Sequence, residues 1–217
     1  MATSIAVFDV DHTITRRSTG RRLVECGRTA GLYGFRDMLR IPRIYLHYRA
    51  GTIKLRHLIG TIERLKGHTR EWLVSVAQEC FDKRVTKDII PAALQIVDEH
   101  RRRNDTIILA SSGLDLVILP IAEMLGVDHV LATRLEFRDG VSTGSLDGLP
   151  CFGTVKCAQT IELIESLGGT LEQTTFYSDS HLDEPLLAVV GCPVAVNPDR
   201  RLRRIATERQ WRIVDIE

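Results

Sequence analysis

The 217-residue chain has almost no net charge, no closely paired cysteines and no long apolar run. Each absence removes a class. A net charge of +1 excludes whole-surface electrostatic binding of nucleic acid. The five cysteines, Cys26, Cys80, Cys151, Cys157 and Cys192, are odd in number, and no two are spaced C-x-x-C. A chain of this length can bury a core without covalent staples, so they read as reduced thiols and mostly buried filler. No window approaches the roughly 18 apolar residues of a membrane span. The opening MATSIAVFDVDHT puts acids where a signal peptide needs an apolar stretch. These features predict a cytoplasmic protein with no integral membrane segment and no nucleic-acid partner. With 26% charged and 44% apolar residues, and no repeat or low-complexity segment, the composition suits a folded core domain with at most a small insertion.

What is present begins with a strand. Ile5-Ala6-Val7-Phe8 is apolar without alternation, as in a strand buried on both faces, and it ends at Asp9. From about Arg16 to Lys87 the pattern turns helical, with apolar residues at three- and four-residue steps such as Ile53, Leu55, Leu58, Ile59, Ile62 and Leu65. Gly51-Thr52 and Gly67-His68-Thr69 read as breaks with threonine caps. Helices and strands then alternate. Helices are predicted over 88–103, 113–125, 154–167, 184–190 and 199–209. Strands are predicted over 106–110, 174–177, 193–196 and 211–214. Residues 130–137 and 141–146 flank Arg138-Asp139-Gly140 as a hairpin. This order predicts an α/β fold: a Rossmann-like, doubly wound, mostly parallel sheet with an inserted helical cap. The expected division is a core of 1–15 and 88–217 and a cap of 16–87.

Charge divides the same way. Residues 16–87 carry 17 lysines and arginines against 6 acids, and the remainder 12 against 22. Such a surplus is either a solvated helical face or a basic lid over an acidic floor, and the lid would attract an anionic substrate.

Ligands of doubly wound sheets bind beyond the carboxyl ends of the strands, so the residues that follow each strand carry the chemistry. The first strand is followed by Asp9-Val10-Asp11-His12-Thr13. Ser111-Ser112-Gly113 follows the second and is expected to open a helix. Ser178-Asp179-Ser180-His181-Leu182-Asp183 follows a later one, and Lys156 lies in the first turns of a helix between them. Asp9 and Asp179 would meet at the sheet edge. Two adjacent carboxylates repel unless a cation separates them, and hard oxygen ligands suit Mg²⁺. Ser111, Ser112 and Gly113 would offer hydroxyls and N–H groups to an anion, and Lys156 a point charge to a phosphate. The set describes a phosphoryl-transfer site.

These motifs resemble the haloacid-dehalogenase-like phosphatases, in the branch of phosphoserine-phosphatase-like hydrolases, over essentially the whole chain. Leu125-Gly126-Val127-Asp128, Ala132-Thr133-Arg134-Leu135-Glu136, Asp139-Gly140-Val141-Ser142-Thr143-Gly144 and Val196-Asn197-Pro198-Asp199 resemble that branch too. The resemblance implies a C1-type cap and Mg²⁺-dependent hydrolysis of a small phosphomonoester. It makes Asp9 the nucleophile, carrying an aspartyl-phosphate, and Asp11 the general acid and base. It assigns Mg²⁺ to the Asp9 carboxylate, the Asp11 backbone carbonyl and Asp179. Asp183 supports the metal or Lys156, while Ser111 and Lys156 bind the phosphoryl group.

The sequence departs from the family pattern at three places. Ser178 replaces the common glycine before Asp179. His12 stands where a small residue is usual. Ser18 stands where true phosphoserine phosphatases place the glutamate that reads the substrate ammonium, which disfavours phosphoserine as substrate. His12 and His181 are expected bystanders. Arg16, Arg17, Arg21 and Arg22 either read an anionic leaving group or form a solvated face. Tyr45, His47 and Tyr48 belong to a packed cap helix or a membrane-touching surface. The rival functions are phosphotransfer to a small alcohol, hydrolysis of a lipid headgroup phosphate, and non-catalytic phosphate or Mg²⁺ sensing. Filled catalytic positions argue against the last. The expected assembly is a monomer or homodimer with a small phosphorylated substrate.

Overall fold

The computed structural model describes residues 3–34 and 60–216. The expectations for Gly51-Thr52, the helical run from Ile53 to Ile59, and Tyr45, His47 and Tyr48 lie outside the described residues. The first strand, β1 (Thr3–Phe8), is central, with β2 (Thr106–Leu114) on one side and β6 (Gly169–Ser178) on the other. Beyond β2 lies β3 (His129–Thr133); beyond β6 lie β7 (Cys192–Val196) and β8 (Arg212–Val214). All pairings in this six-stranded sheet are parallel, in the order β3-β2-β1-β6-β7-β8. Strand order reverses at β1, which opens a crevice beyond the carboxyl ends of β1 and β6.

Side-chain alternation explains why the strands read as unbroken apolar runs. Ala6 and Phe8 of β1, with Ile107 and Leu109 of β2, pack on one face with α1 (Thr19–Thr29), α2 (Arg70–Cys80), α3 (Pro91–Arg102) and α4 (Asp115–Leu125). Ile5, Val7, Ile108 and Ala110 point the other way, onto α5 (Thr154–Ser166), α6 (Glu184–Leu187) and α7 (Arg200–Glu208). Phe8 and Tyr177 stack at 4.6 Å between centroids and 3° between planes. His100 binds the Tyr177 hydroxyl at 2.8 Å through Nε2 and Asp105 at 2.7 Å through Nδ1. These contacts tie together the two strand ends that precede Asp9 and Ser178-Asp179.

The insertion between β1 and β2 is helical in its described parts: α1, α2, a π-type turn at Phe81–Val85 and 3₁₀ turns at Glu63–Leu65 and Thr86–Asp88. Its two ends meet at a neck. The Arg16 amide donates to the Asp88 carbonyl at 2.7 Å and the Ile90 amide to the Ile14 carbonyl at 2.9 Å. Arg22, buried in α1, closes the neck with a two-pronged ion pair to Asp88 and a bond to Glu25. Arg22 is therefore neither a solvated face nor free to read a ligand.

Two local expectations are corrected. Ser111-Ser112-Gly113 does not open a helix: extended backbone continues to Leu114, which pairs with Thr133, and α4 starts at Asp115. Asp115 supplies its own start signal, its Oδ1 accepting from the Leu116 amide at 2.9 Å. The stretch 130–137 is two strands. His129–Thr133 joins the parallel sheet, and only β4 (Leu135–Arg138) pairs antiparallel with β5 (Val141–Leu146). Arg134 separates them, a one-residue break that hydrophobic patterning does not register. The β4–β5 hairpin also bonds to the insertion, from the Arg70 amide to the Gly140 carbonyl at 2.8 Å and from the Gly67 amide to the Ser142 carbonyl at 2.9 Å. All five cysteines are free thiols; Cys192 is exposed, against the expectation of buried filler there.

Candidate active site

Asp9 leaves β1 with its amide still in the sheet, donating to the Tyr177 carbonyl at 2.9 Å. The chain then winds tightly around one acceptor. The Val10 carbonyl takes the amides of Thr13, Ile14 and Thr15 at 3.3, 2.9 and 3.0 Å. His12 meets this turn with a left-handed backbone, φ 62°, and its Nδ1 lies 3.0 Å from the Arg16 carbonyl. A non-glycine residue held there costs about 1–2 kcal/mol, which the turn's hydrogen bonds offset.

The turn delivers Asp11 to the start of α1. Asp11 Oδ1 accepts from both the amide and the hydroxyl of Thr19, each at 2.8 Å. Thr19 is fully buried. With Oδ1 doubly engaged, the other oxygen of Asp11 is the one available for proton traffic. Thr19 escaped the sequence reading, because a contact eight residues away across a turn leaves no periodic signal.

Lys156 is placed by Gly153, whose φ of 54° and ψ of −122° at the N-cap of α5 are open to glycine and costly for a side chain. Its Nζ bridges Asp9 Oδ1 and Asp183 Oδ2, both at 2.8 Å. All three groups are buried. Ser178, the departure from glycine, is part of this network: its hydroxyl donates to Asp183 Oδ2 at 2.7 Å and accepts from the Ser180 amide at 3.2 Å. Ser111, also buried, accepts from the Gly113 amide at 3.1 Å, so that N–H is engaged within the loop. The Ser112 carbonyl accepts from Thr133. A Cβ on Gly113 would come within 3.0 Å of the Thr19 hydroxyl and 3.3 Å of the Ser111 hydroxyl. Ser111, Gly113, Thr19 and Asp11 are therefore neighbours.

Asp179 differs from the rest. It is buried, yet among the described residues no donor or cation contacts its carboxylate. Burial raises its pKa well above the carboxylate range, and Asp9, Asp183, Asp11 and Asp199 raise it further. Burial also pushes Asp9 up to about 7; Lys156 opposes this, while Asp183 and Asp11 add to it. Burial alone would lower Lys156, but Asp183 and Asp9 outweigh it and hold the ammonium above its ordinary value. One lysine does not balance this acidic cluster, so the site fits a further cation. Among the described residues no three His, Cys, Asp or Glu side chains form a closed cage. Two carboxylates with backbone, water and phosphate oxygens match the partly hydrated shell of Mg²⁺ better than such a cage would.

Ser18, the position that lacks the glutamate, is the N-cap of α1, its hydroxyl accepting from the Arg21 amide at 3.4 Å. Arg21 pairs with Glu25. Arg16 and Arg17 are exposed, and their guanidinium groups have no partner among the described residues. An open depression of about 460 Å³, lined by His181, Leu182, Glu184, Pro185, Ala188 and Arg201, contains none of the converging acids or Lys156. Chemistry and not volume locates the site. No helix among the described residues is long and apolar enough to cross a membrane.

Comparison with known proteins shows the family and the fold. Residues 6–188 match the family model of the haloacid dehalogenase-like hydrolases. The chain is 34% identical over 216 residues to the inhibition of morphological differentiation protein of Streptomyces azureus, covering 97% of this chain and 77% of that one. It is 27% identical to a histidinol-phosphatase of Neisseria meningitidis, covering 99% of both. A solved protein of unknown function from Bordetella pertussis superposes with a TM-score of 0.88 at 28% identity, again over 99% of both chains. A solved phosphoserine phosphatase shares the fold at a TM-score of 0.74 and 21% identity, over 100% of this chain and 94% of that one.

Proposed function

The chain belongs to the haloacid dehalogenase-like hydrolases and is a phosphatase of that family, and from that premise we propose that it hydrolyses a small phosphorylated metabolite through an aspartyl-phosphate on Asp9. The observation that carries this reading is the buried Asp9–Lys156–Asp183 bridge beside Asp179, whose carboxylate lacks any partner among the described residues. The neck at Arg16 and Asp88 supports a cap of residues 16–87 on a core of 1–15 and 88–217.

In this proposal the Asp9 oxygen not engaged by Lys156 attacks phosphorus. The bond to the leaving oxygen breaks, and Asp11 supplies the proton that oxygen needs. Lys156 keeps Asp9 oriented and turns its remaining N–H toward a phosphoryl oxygen. Ser111 offers its hydroxyl to another oxygen, and the amides of Ser112 and Gly113 lie on the same loop. A water then attacks the aspartyl-phosphate; Asp11 takes its proton, inorganic phosphate leaves and Asp9 is regenerated. Mg²⁺ would be held by the carboxylates of Asp9 and Asp179 and the Asp11 carbonyl. When bound, it neutralises the clustered acids and the phosphoryl charge.

The test is Asp9→Asn, which keeps the side-chain shape. Hydrolysis of p-nitrophenyl phosphate should fall by about a thousandfold or more, roughly 4 kcal/mol, with the thermal midpoint unchanged or raised. Beryllofluoride with Mg²⁺ should form its adduct on Asp9. Activity retained at a tenth of wild type, or an adduct elsewhere, refutes the covalent route.

A further inference from the structure

Asn197-Pro198-Asp199 follows β7, and the chemistry above makes no use of it. Asp199 is buried and takes part in six hydrogen bonds. Its Oδ1 caps α7, accepting from the amides of Arg201 and Leu202 at 2.8 Å each. A helix cap needs nothing more. Its Oδ2, however, accepts from the His181 amide at 3.0 Å and from His181 Nδ1 at 2.8 Å. Its own amide donates to the Asp179 carbonyl at 2.8 Å. One residue thus grips both ends of Asp179-Ser180-His181.

Among the described residues the His181 ring hydrogen-bonds to Asp199 alone. It is buried, and its Nε2 has no partner among the described residues. On the opposite side, Ser178 and Asp183 latch the loop to Lys156. The Asp179 carboxylate has no donor of its own among the described residues, so its direction follows from its backbone.

We propose that Asp199, acting through His181, is a positioning residue for the divalent cation, fixing the backbone from which the Asp179 carboxylate projects. This rests on the proposed assignment of Asp179 as a cation ligand. The physical reason is the narrow tolerance of Mg²⁺, which demands near-octahedral oxygens at short distance. A ligand on a slackened loop loses affinity, and groups that orient ligands are typically worth about 10–100-fold in metal binding.

The experiment titrates the metal-free full chain with Mn²⁺ and counts free Mn²⁺ by electron paramagnetic resonance, independently of turnover. Wild type should bind Mn²⁺ and Asp179→Ala should not. Asp199→Asn and His181→Ala should each weaken binding by about tenfold or more. His181→Asn, whose amide nitrogen takes the place of Nδ1, should stay within about threefold of wild type on the same grounds. Asp199→Asn also removes a negative charge near Asp179; His181→Ala keeps that charge, so agreement between the two isolates position from charge. With p-nitrophenyl phosphate, His181→Ala should raise the Mg²⁺ concentration for half-maximal activity and leave KM at saturating Mg²⁺ nearly unchanged. Circular dichroism verifies that each variant is folded, and if Asp199→Asn is not, the two His181 variants decide alone. Unchanged Mn²⁺ affinity in folded His181→Ala overturns the proposal, and so does equal loss in His181→Asn. If Asp179→Ala binds Mn²⁺ like wild type, the ligand assignment itself fails.

Discussion

Replacing Lys156 by methionine removes the cation between Asp9 and Asp183 while keeping most of the side-chain volume. In the metal-free wild type, Asp9 releases its proton near pH 7, pushed there by burial against the pull of Lys156. In the unfolded chain the same carboxyl releases near pH 4, as any aspartate does. Lys156 favours the ionised form through both its charge and its hydrogen bond. Without it, folded Lys156→Met keeps the Asp9 proton to higher pH than folded wild type. A folded state that holds more protons than the unfolded one loses stability as pH rises. Between pH 7 and pH 9 the variant therefore falls behind wild type, by at most about 1.4 kcal/mol per pH unit and about 2 kcal/mol in all, because wild type still sheds part of its proton above pH 7. For a chain of this size that widens the gap in Tm by up to about 4–8 °C. Below pH 7 both proteins hold the proton, and the gap shrinks to the lost hydrogen bonds and packing. The assay is thermal unfolding by circular dichroism in EDTA at pH 6, 7, 8 and 9. A Tm gap independent of pH refutes the reasoning, because Lys156 would then be a packing residue with no electrostatic hold on Asp9.

Four further outcomes follow from the same site. Thr19→Val removes one of the two donors on Asp11 Oδ1 and should cut kcat by about tenfold, near 1.4 kcal/mol, with Tm within a few degrees; stopped-assay rates equal to wild type would show that Thr19 does not orient Asp11. Mg²⁺ affinity measured by calorimetry should weaken as pH falls through about 7, since Asp9 must shed its proton to bind the ion; affinity flat from pH 8 to pH 6 would remove Asp9 from the ligand set. In a screen of phosphorylated metabolites, phosphoserine should not rank first in kcat/KM, because Ser18 caps a helix where an ammonium reader would stand. Arg16→Glu or Arg17→Glu should then depress the best substrate and spare p-nitrophenyl phosphate, and equal loss on both would mean that these arginines hold the cap.

Legibility from sequence followed the topology. In a doubly wound sheet, residues after the strand ends converge whatever lies between them. That is why Asp9, Asp179 and Lys156, up to 170 residues apart, could be named from their places in the strand and helix order. The same logic overreached at Ser111-Ser112-Gly113. Hydrophobic patterning marks where a strand's apolar run stops, at Ala110, but not where its backbone stops pairing, at Leu114. Residues that act through another side chain were harder to see. Ser178 reads as a minor departure from glycine until its hydroxyl is found on Asp183. Arg22 reads as one more basic residue of the cap until Asp88 is found against it, 66 residues along the chain. Asp199 reads as a helix cap because half of its hydrogen-bonding capacity is one; the other half faces a loop that ended 16 residues earlier. The distinction is physical. Residues such as Asp9 and Asp179 are tied to strand ends, which periodicity marks. Residues that hold them are tied to one another across the fold, and a single sequence carries no periodicity for such pairs. The unseen part of this site is thus its supporting layer, and the Mn²⁺ titration and the pH dependence of Lys156→Met both address that layer directly.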